Sequence, residues 1–260
     1  MNAMEKLLEL SNIGKSFGGL TALEDVSFSV ASGQITSLIG PNGAGKTTLY
    51  HIITGFHVPS RGHVLFRQEK INGLKPHVIA RKGIARTFQN VGLFSNMTVL
   101  ENVMMGCHVR TKAGLFSGAF KLPRAQRERG TVLDKSMALL DFIDLKHRAY
   151  ENSGGLPFGL QRYVEIARAL ATGPQLLLLD EPASGLDPTE SHSLARLISR
   201  IRDRGTAILL VEHNMDVAME ISDHIVVLNY GKNIAEGSPR EIQNNADVIT
   251  AYLGGTAPRA

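Results

Sequence analysis

The chain of 260 residues is 43% apolar and 20% charged, the balance of a globular protein rather than a disordered one. No apolar run approaches the roughly 18 residues that a membrane-crossing helix needs. The net charge of +4 is spread along the chain, which argues against a dedicated nucleic-acid surface; even the dense basic stretch at 124–129 reads as a solvated helix face.

The start of the sequence lacks the basic and continuous apolar regions of a secretory signal. A single cysteine, Cys107, allows no internal disulfide and reads as a small packed hydrophobe in a reducing compartment. Between residues 7 and 39, short strand-like pieces at 7–10, 26–30 and 35–40 alternate with turns at Gly18-Gly19 and Ser32-Gly33, predicting an antiparallel β entry.

The last of these pieces runs into Gly40-Pro41-Asn42-Gly43-Ala44-Gly45-Lys46-Thr47, a match to G-x-x-x-x-G-K-[ST] set after a strand and before a helix, as its chemistry demands. Glycines let successive backbone N–H groups converge on a phosphate, and the helix dipole adds positive potential. Lys46 reaches the β and γ oxygens, the Thr47 hydroxyl coordinates Mg²⁺, and Thr48 stands beside it. Leu49, Ile52 and Ile53 give the following segment helical spacing until Gly55 breaks it.

Residues 92–160 change character, with apolar residues three and four apart in two stretches separated by a polar, glycine-rich 110–130. This predicts an inserted helical subdomain. From 160 the pattern alternates: helix 160–172, strand 176–180, helix 188–204, strand 206–211, helix 214–221, strand 224–228. Fully apolar strands in such alternation predict a parallel sheet covered on both faces. The predicted fold is therefore α/β, a P-loop NTPase of RecA-like type. Its parallel-sheet core carries an N-terminal antiparallel β subdomain and an inserted α-helical subdomain. One domain would span 1–260, with 1–91 and 161–260 as the ATP-binding core and 92–160 as the helical part.

Asp180 and Glu181 close the buried strand, where an open parallel sheet gathers its ligands. Asp180 suits Mg²⁺, and Glu181 suits a general base toward the attacking water. These features fit any P-loop NTPase.

With them in place, the chain resembles the ATP-binding subunits of ABC transporters over nearly all its length. The resemblance implies that Leu156-Pro157-Phe158-Gly159 is the signature turn, seven residues from Gly159 to Ile166, with Pro157 and Phe158 replacing the usual serine and first glycine. Ser153-Gly154-Gly155 is then a decoy, expected to be a flexible lead-in. By the same resemblance Gln89 is the Q-loop glutamine, on Mg²⁺ and the membrane partner. Ser184 to Asp187 is the D-loop, His213 the histidine that touches the γ-phosphate, and Phe17 the ring that stacks on adenine.

The strings "GIARTFQNVGLFSNMTVLENV", "VEHNMDVAMEISDHIVVLNYGK" and "EGSPREIQNNADVITAYLG" are similar to branched-chain amino acid importer ATPases. Related systems for urea, amides or aromatic acids, and a lipopolysaccharide exporter, have similar subunits. The resemblance implies ATP and Mg²⁺ as cofactors, a second ATP-binding subunit, two membrane permeases and, indirectly, a solute-binding protein, at the cytoplasmic face of the inner membrane. Val91, Leu93, Phe94 and Met97 are expected to form an exposed apolar docking surface. A DNA- or ribosome-associated ATPase of the same family would need a long coiled-coil insertion or a second ATPase domain. A GTP switch would need an Asn-Lys-x-Asp string, which does not occur.

Overall fold

The computed structural model describes residues 5–87, 92–107, 123–213 and 215–253, with the side chains of 123–129 and 253 outside it. Two compact units emerge: residues 1–79 together with 178–260, and residues 80–177.

The first unit opens with a hairpin, β1 (Lys6–Phe17) and β2 (Leu20–Ala31), turning at Gly18-Gly19 as expected. Each strand is 12 residues long, where the sequence suggested short separate pieces. The register shifts between Leu10 and Ile13, and Asn12 and Asp25 take φ of 50° and 60°, tied by the Asn12 amide donating to Asp25 at 2.7 Å. Such bulges interrupt the alternation of inward and outward residues, so the periodic signal breaks although the pairing continues.

Then come β3 (Ile35–Ile39), α1 (Lys46–Ile53), β4 (Arg61–Phe66), β5 (Glu69–Lys70) and α2 (Pro76–Lys82). β2, β1, β4 and β5 form, in that order, a four-stranded sheet whose neighbours pair antiparallel.

The second unit contains β6 (Ile84–Arg86), α3 (Val99–Cys107), α4 (Pro123–Phe142) and α5 (Phe158–Ala171). β6 adjoins the beginning of β7 (Leu176–Asp180), where the Gln175 and Leu176 amides both donate to the Gly83 carbonyl. α3 meets α5 at backbone distance, since any Cβ on Gly106 would collide with the Arg168 carbonyl. Fully buried Asn102 organises the loop before α3. It accepts from the Phe94 amide and donates to the Phe94 and Thr98 carbonyls and to the Ser153 hydroxyl, all within 3.2 Å. Cys107 is buried, its sulfur 3.8 Å from the Ser136 hydroxyl. Of the expected apolar docking residues only Phe94 is exposed; Leu93 and Met97 are half-buried, because Asn102 and Ser153 draw their loop inward, and Val91 lies outside the described residues.

β7 returns the chain to the first unit. There follow α6 (Pro188–Asp203), β8 (Ala207–Val211), α7 (Met215–Ile221), β9 (His224–Asn229), β10 (Lys232–Gly237), α8 (Pro239–Gln243) and α9 (Ala246–Leu253). Within this unit the larger sheet runs β10-β9-β3-β8-β7. β3 pairs in parallel with both β8 and β9, and β10 pairs antiparallel with β9. Every residue of β3, β7 and β8 is buried, which confirms the two-sided covering read from their apolar runs. The C-terminal helices add Ile242 and Val248 to a cluster with Ile39, Ile225 and Val227, against which Tyr252 packs.

Candidate active site

The loop 40–45 is shaped by what its glycines permit. A Cβ on Gly40 would collide with the Leu228 carbonyl, and one on Gly45, at φ 102°, would lie 2.7 Å from Leu23 and 2.8 Å from the Ala22 carbonyl. Only glycine lets the loop pass so close to these backbones at that φ. Ala44 is buried, Pro41 half-buried, and Asn42 and Gly43 face solvent. α1 then begins with no side-chain cap and no acid in its first turn, so its leading N–H groups and dipole favour an anion.

Lys46 is buried, its ammonium donating to the Gly40 carbonyl at 2.6 Å and the Pro41 carbonyl at 3.0 Å. Burial lowers its pKa from the ordinary lysine value, while Glu181 and Asp180 pull it back up. Those opposing effects place both acids of the β7 terminus in the electrostatic neighbourhood of the lysine. Thr47 is exposed and Thr48 half-buried.

Asp180 is 7% exposed. Glu181 follows it at φ 45°, a left-handed conformation that a β-carbon makes costly. Its amide donates to the Val211 carbonyl at 2.8 Å, and its carboxylate lies 3.7 Å from His213 Nδ1. Glu181 and the half-exposed His213 thus meet at neighbouring ends of β7 and β8. Sequence reasoning passed over Glu212, which is wholly buried and accepts from the Ala183 amide at 3.0 Å. The available signal was an acid directly after a five-residue apolar strand, where a charge has no place unless it is bonded.

Asp187 is the N-cap of α6, in a capping box with Glu190 and with Pro188 at the first turn. Phe17 is 43% exposed, edge-on to His57 at 5.2 Å with Lys15 over its ring at 4.9 Å; it is not core packing. Gln89 lies outside the described residues.

In the second unit, Leu156 is buried and Pro157 stands as the N-cap of α5 at φ −52°, so the helix starts at Phe158, two residues earlier than the sequence suggested. Phe158 is exposed under the Arg162 guanidinium at 5.1 Å, and Gly159 is buried. Ser153 is no flexible lead-in. It is fully buried in a 3₁₀ turn, donating to the Phe94 carbonyl and accepting from Asn102, each at 3.0 Å. A small hydroxyl satisfied on both sides fixes the turn.

Among the described residues no three His, Cys, Asp or Glu side chains gather to hold a metal. One hydroxyl and one carboxylate suit Mg²⁺, which takes few protein ligands and keeps phosphate oxygens and water for the rest. Among the described residues no helix is long and apolar enough to cross a membrane.

Comparison with known proteins adds independent findings. A family model described as ABC transporter matches residues 23–184, and one described as branched-chain amino acid ATP-binding cassette transporter matches 232–258. The high-affinity branched-chain amino acid transport ATP-binding protein LivG of Salmonella typhimurium is 46% identical over 251 residues, 96% of this chain and 98% of its own. BraF of Pseudomonas aeruginosa, of the same description, is 44% identical over 249 residues, 95% and 98%. Among solved structures, the ADP conformation of an ABC transporter cassette has a TM-score of 0.84 at 33% identity, covering 96% of this chain and 99% of that one. A dimeric cassette in a post-hydrolysis state, bound to ADP and Pi, has a TM-score of 0.74 at 26% identity, covering 90% and 99%.

Proposed function

The chain belongs to the ABC transporter ATP-binding family, a family of ATPases, and from that premise we propose that it powers uptake of branched-chain amino acids through two separate membrane permeases. The observation that carries the reading is the convergence, within one unit, of the Lys46-braced glycine loop with Asp180, Glu181 and His213. The choice of solute rests on the match of residues 232–258 and on what LivG and BraF are described as transporting.

This subunit and a second ATP-binding subunit, identical or related, close head to tail on two ATP molecules. In each, backbone N–H groups of the loop Gly40 to Thr48 other than Pro41, together with the Lys46 ammonium, hold the β- and γ-phosphates, and Phe17 stacks on adenine. The partner contributes Leu156, Pro157, Phe158 and Gly159, whose helix dipole faces the γ-phosphate, and Asp187 lies at the dimer seam. Glu181 takes the proton of the water that attacks the γ-phosphorus, ADP departs as the bond to the bridging oxygen breaks, and His213 stabilises charge on the γ-phosphate oxygens. Thr47, Asp180 and Gln89 would hold Mg²⁺, which would supply neutralisation of the nucleotide's phosphate charge. The permeases dock near Phe94 and turn closure into alternating access, placing the subunit peripherally at the cytoplasmic face of the inner membrane. A solute-binding protein supplies the solute, and no nucleic acid is involved.

The test is to reconstitute the subunit with its permeases and binding protein and measure ATPase against a panel of solutes. Leucine, isoleucine or valine should stimulate it. Stimulation by urea, amides or aromatic acids alone would overturn the choice of solute, and failure to copurify with permeases would overturn the transporter reading.

A further inference from the structure

The ends of β7 and β8 face each other along three successive residues. The Glu181 amide donates to the Val211 carbonyl at 2.8 Å. The Ala183 amide donates to Glu212 Oε1 at 3.0 Å. His213 Nδ1 lies 3.7 Å from Glu181 Oε2 and 4.0 Å from Glu212 Oε2. The first contact is backbone alone and the third is half in solvent. The middle one belongs to a side chain with no exposed surface.

Glu181 needs such restraint. Its φ of 45° is a conformation that persists in a residue with a β-carbon only where the surroundings over-determine it. The Val211 contact fixes the amide of Glu181 itself, and the Ser184 amide, donating to the Glu181 carbonyl at 3.1 Å, closes the turn from the far side. Between them, the bond from Ala183 to Glu212 is a fully buried side-chain contact that ties the turn to the neighbouring strand. A carboxylate buried here is costly, and an apolar residue would serve packing as well. Its use at this position is as an acceptor for the turn that carries Glu181.

We propose that Glu212 is a positioning residue: by accepting from the Ala183 amide it locks the left-handed turn that aims Glu181, and it holds the adjoining His213 strand end in register with that turn. The inference rests on the reading of Glu181 as the base and goes beyond it in assigning what fixes that base. It has a kinetic signature. Loosening the turn misplaces Glu181 without touching the phosphate loop, so turnover falls while nucleotide affinity stays.

The test compares Glu212→Gln, Glu212→Asp and Glu212→Leu in the purified full chain, measuring kcat and KM for MgATP together with the affinity for a fluorescent ATP analogue. Gln keeps an acceptor oxygen in place. Asp keeps the charge but withdraws the oxygen by one methylene. Leu fills the space and removes the acceptor. Leu and Asp should lower kcat about 10- to 100-fold, the scale of a small misplacement of a catalytic group, with KM and analogue affinity within about twofold, and Gln should restore most of kcat. Wild-type kcat in Leu or Asp, a Gln variant as slow as Leu, or a parallel loss of nucleotide affinity would overturn the proposal. Should Leu fail to fold, Asp against Gln decides alone. Glu181→Gln run alongside separates the two readings. If it turns over normally, the base assignment itself fails; if it is inactive while Glu212→Asp is normal, only the positioning role fails.

Discussion

Replacing Glu181 by glycine should make the protein more stable and inactive at once. Glu181 sits at φ 45°, which costs a residue with a β-carbon about 1–2 kcal/mol. Glycine removes that cost but adds about 0.5–1 kcal/mol of entropy to the unfolded chain. The side chain lost lies 3.7 Å from the half-exposed His213 and attracts Lys46, but it also stands beside the carboxylates of Asp180 and Glu212, so its net electrostatic contribution is small. The net gain is therefore roughly 0.5–1 kcal/mol, and for a chain of this size about 1–2 °C in melting temperature. Glu181→Gln is the matched control, because it keeps the β-carbon and hence the strain. Calorimetry of the three proteins, with ATPase rates on the same samples, should show glycine above both others in Tm and both variants at least about a hundredfold slower than wild type. A glycine variant that melts at or below the glutamine variant, or one that still turns over, would refute the argument that strain at this residue is retained for catalysis.

Pro157→Ser returns a hydroxyl to the N-cap of α5 and should strengthen ATP-driven dimerisation about tenfold, from the ~1.5 kcal/mol of a hydrogen bond to a charged oxygen; sedimentation with the Glu181→Gln background checks it, and unchanged or weaker association would refute it. Burial pushes the Tyr252 phenol up to about 12 from its ordinary 10.0, partly offset by the Gly40 backbone. The folded state therefore keeps the proton that the unfolded chain releases, so this contribution is intact below pH 10 and is lost as pH rises toward 12. Thermal melts of Tyr252→Phe should fall less steeply than wild type across that window, and parallel curves would refute the assignment. Asn102→Ala strips partners from the Phe94 backbone and from Ser153 and should cost about 2–3 kcal/mol in chemical denaturation; a change under about 0.5 kcal/mol would count against its role.

The features that could be read from the sequence are those whose cause is local. A strand, a glycine loop and a helix in direct succession specify the turn around Lys46, and unbroken apolar runs specify strands covered on both sides. The length of β1 and β2 was hidden, because a bulge at Asn12 is set by the partner strand rather than by neighbours in sequence. The packing of Ser153 was hidden for a similar reason, since its two partners come from residues 94 and 102. Glu212 went unnoticed because reading stops at the histidine beside it, and only the opposing amide of Ala183 reveals why an acid follows an apolar strand. The role of Asp187 as the cap of α6 was legible in principle from Asp187-Pro188 and Glu190, a start signal overlooked in favour of the motif it overlaps.

α8 and α9 look on paper like a dispensable tail, yet Ile242 and Val248 cover Ile39, the last residue of the strand that delivers Gly40. Shortening the protein there would uncover greasy surface directly beneath the phosphate loop, inviting clumping and slack in the very turn that must stay taut. Any version trimmed before Val248 should therefore be expected to fail as a sample before it fails as an enzyme.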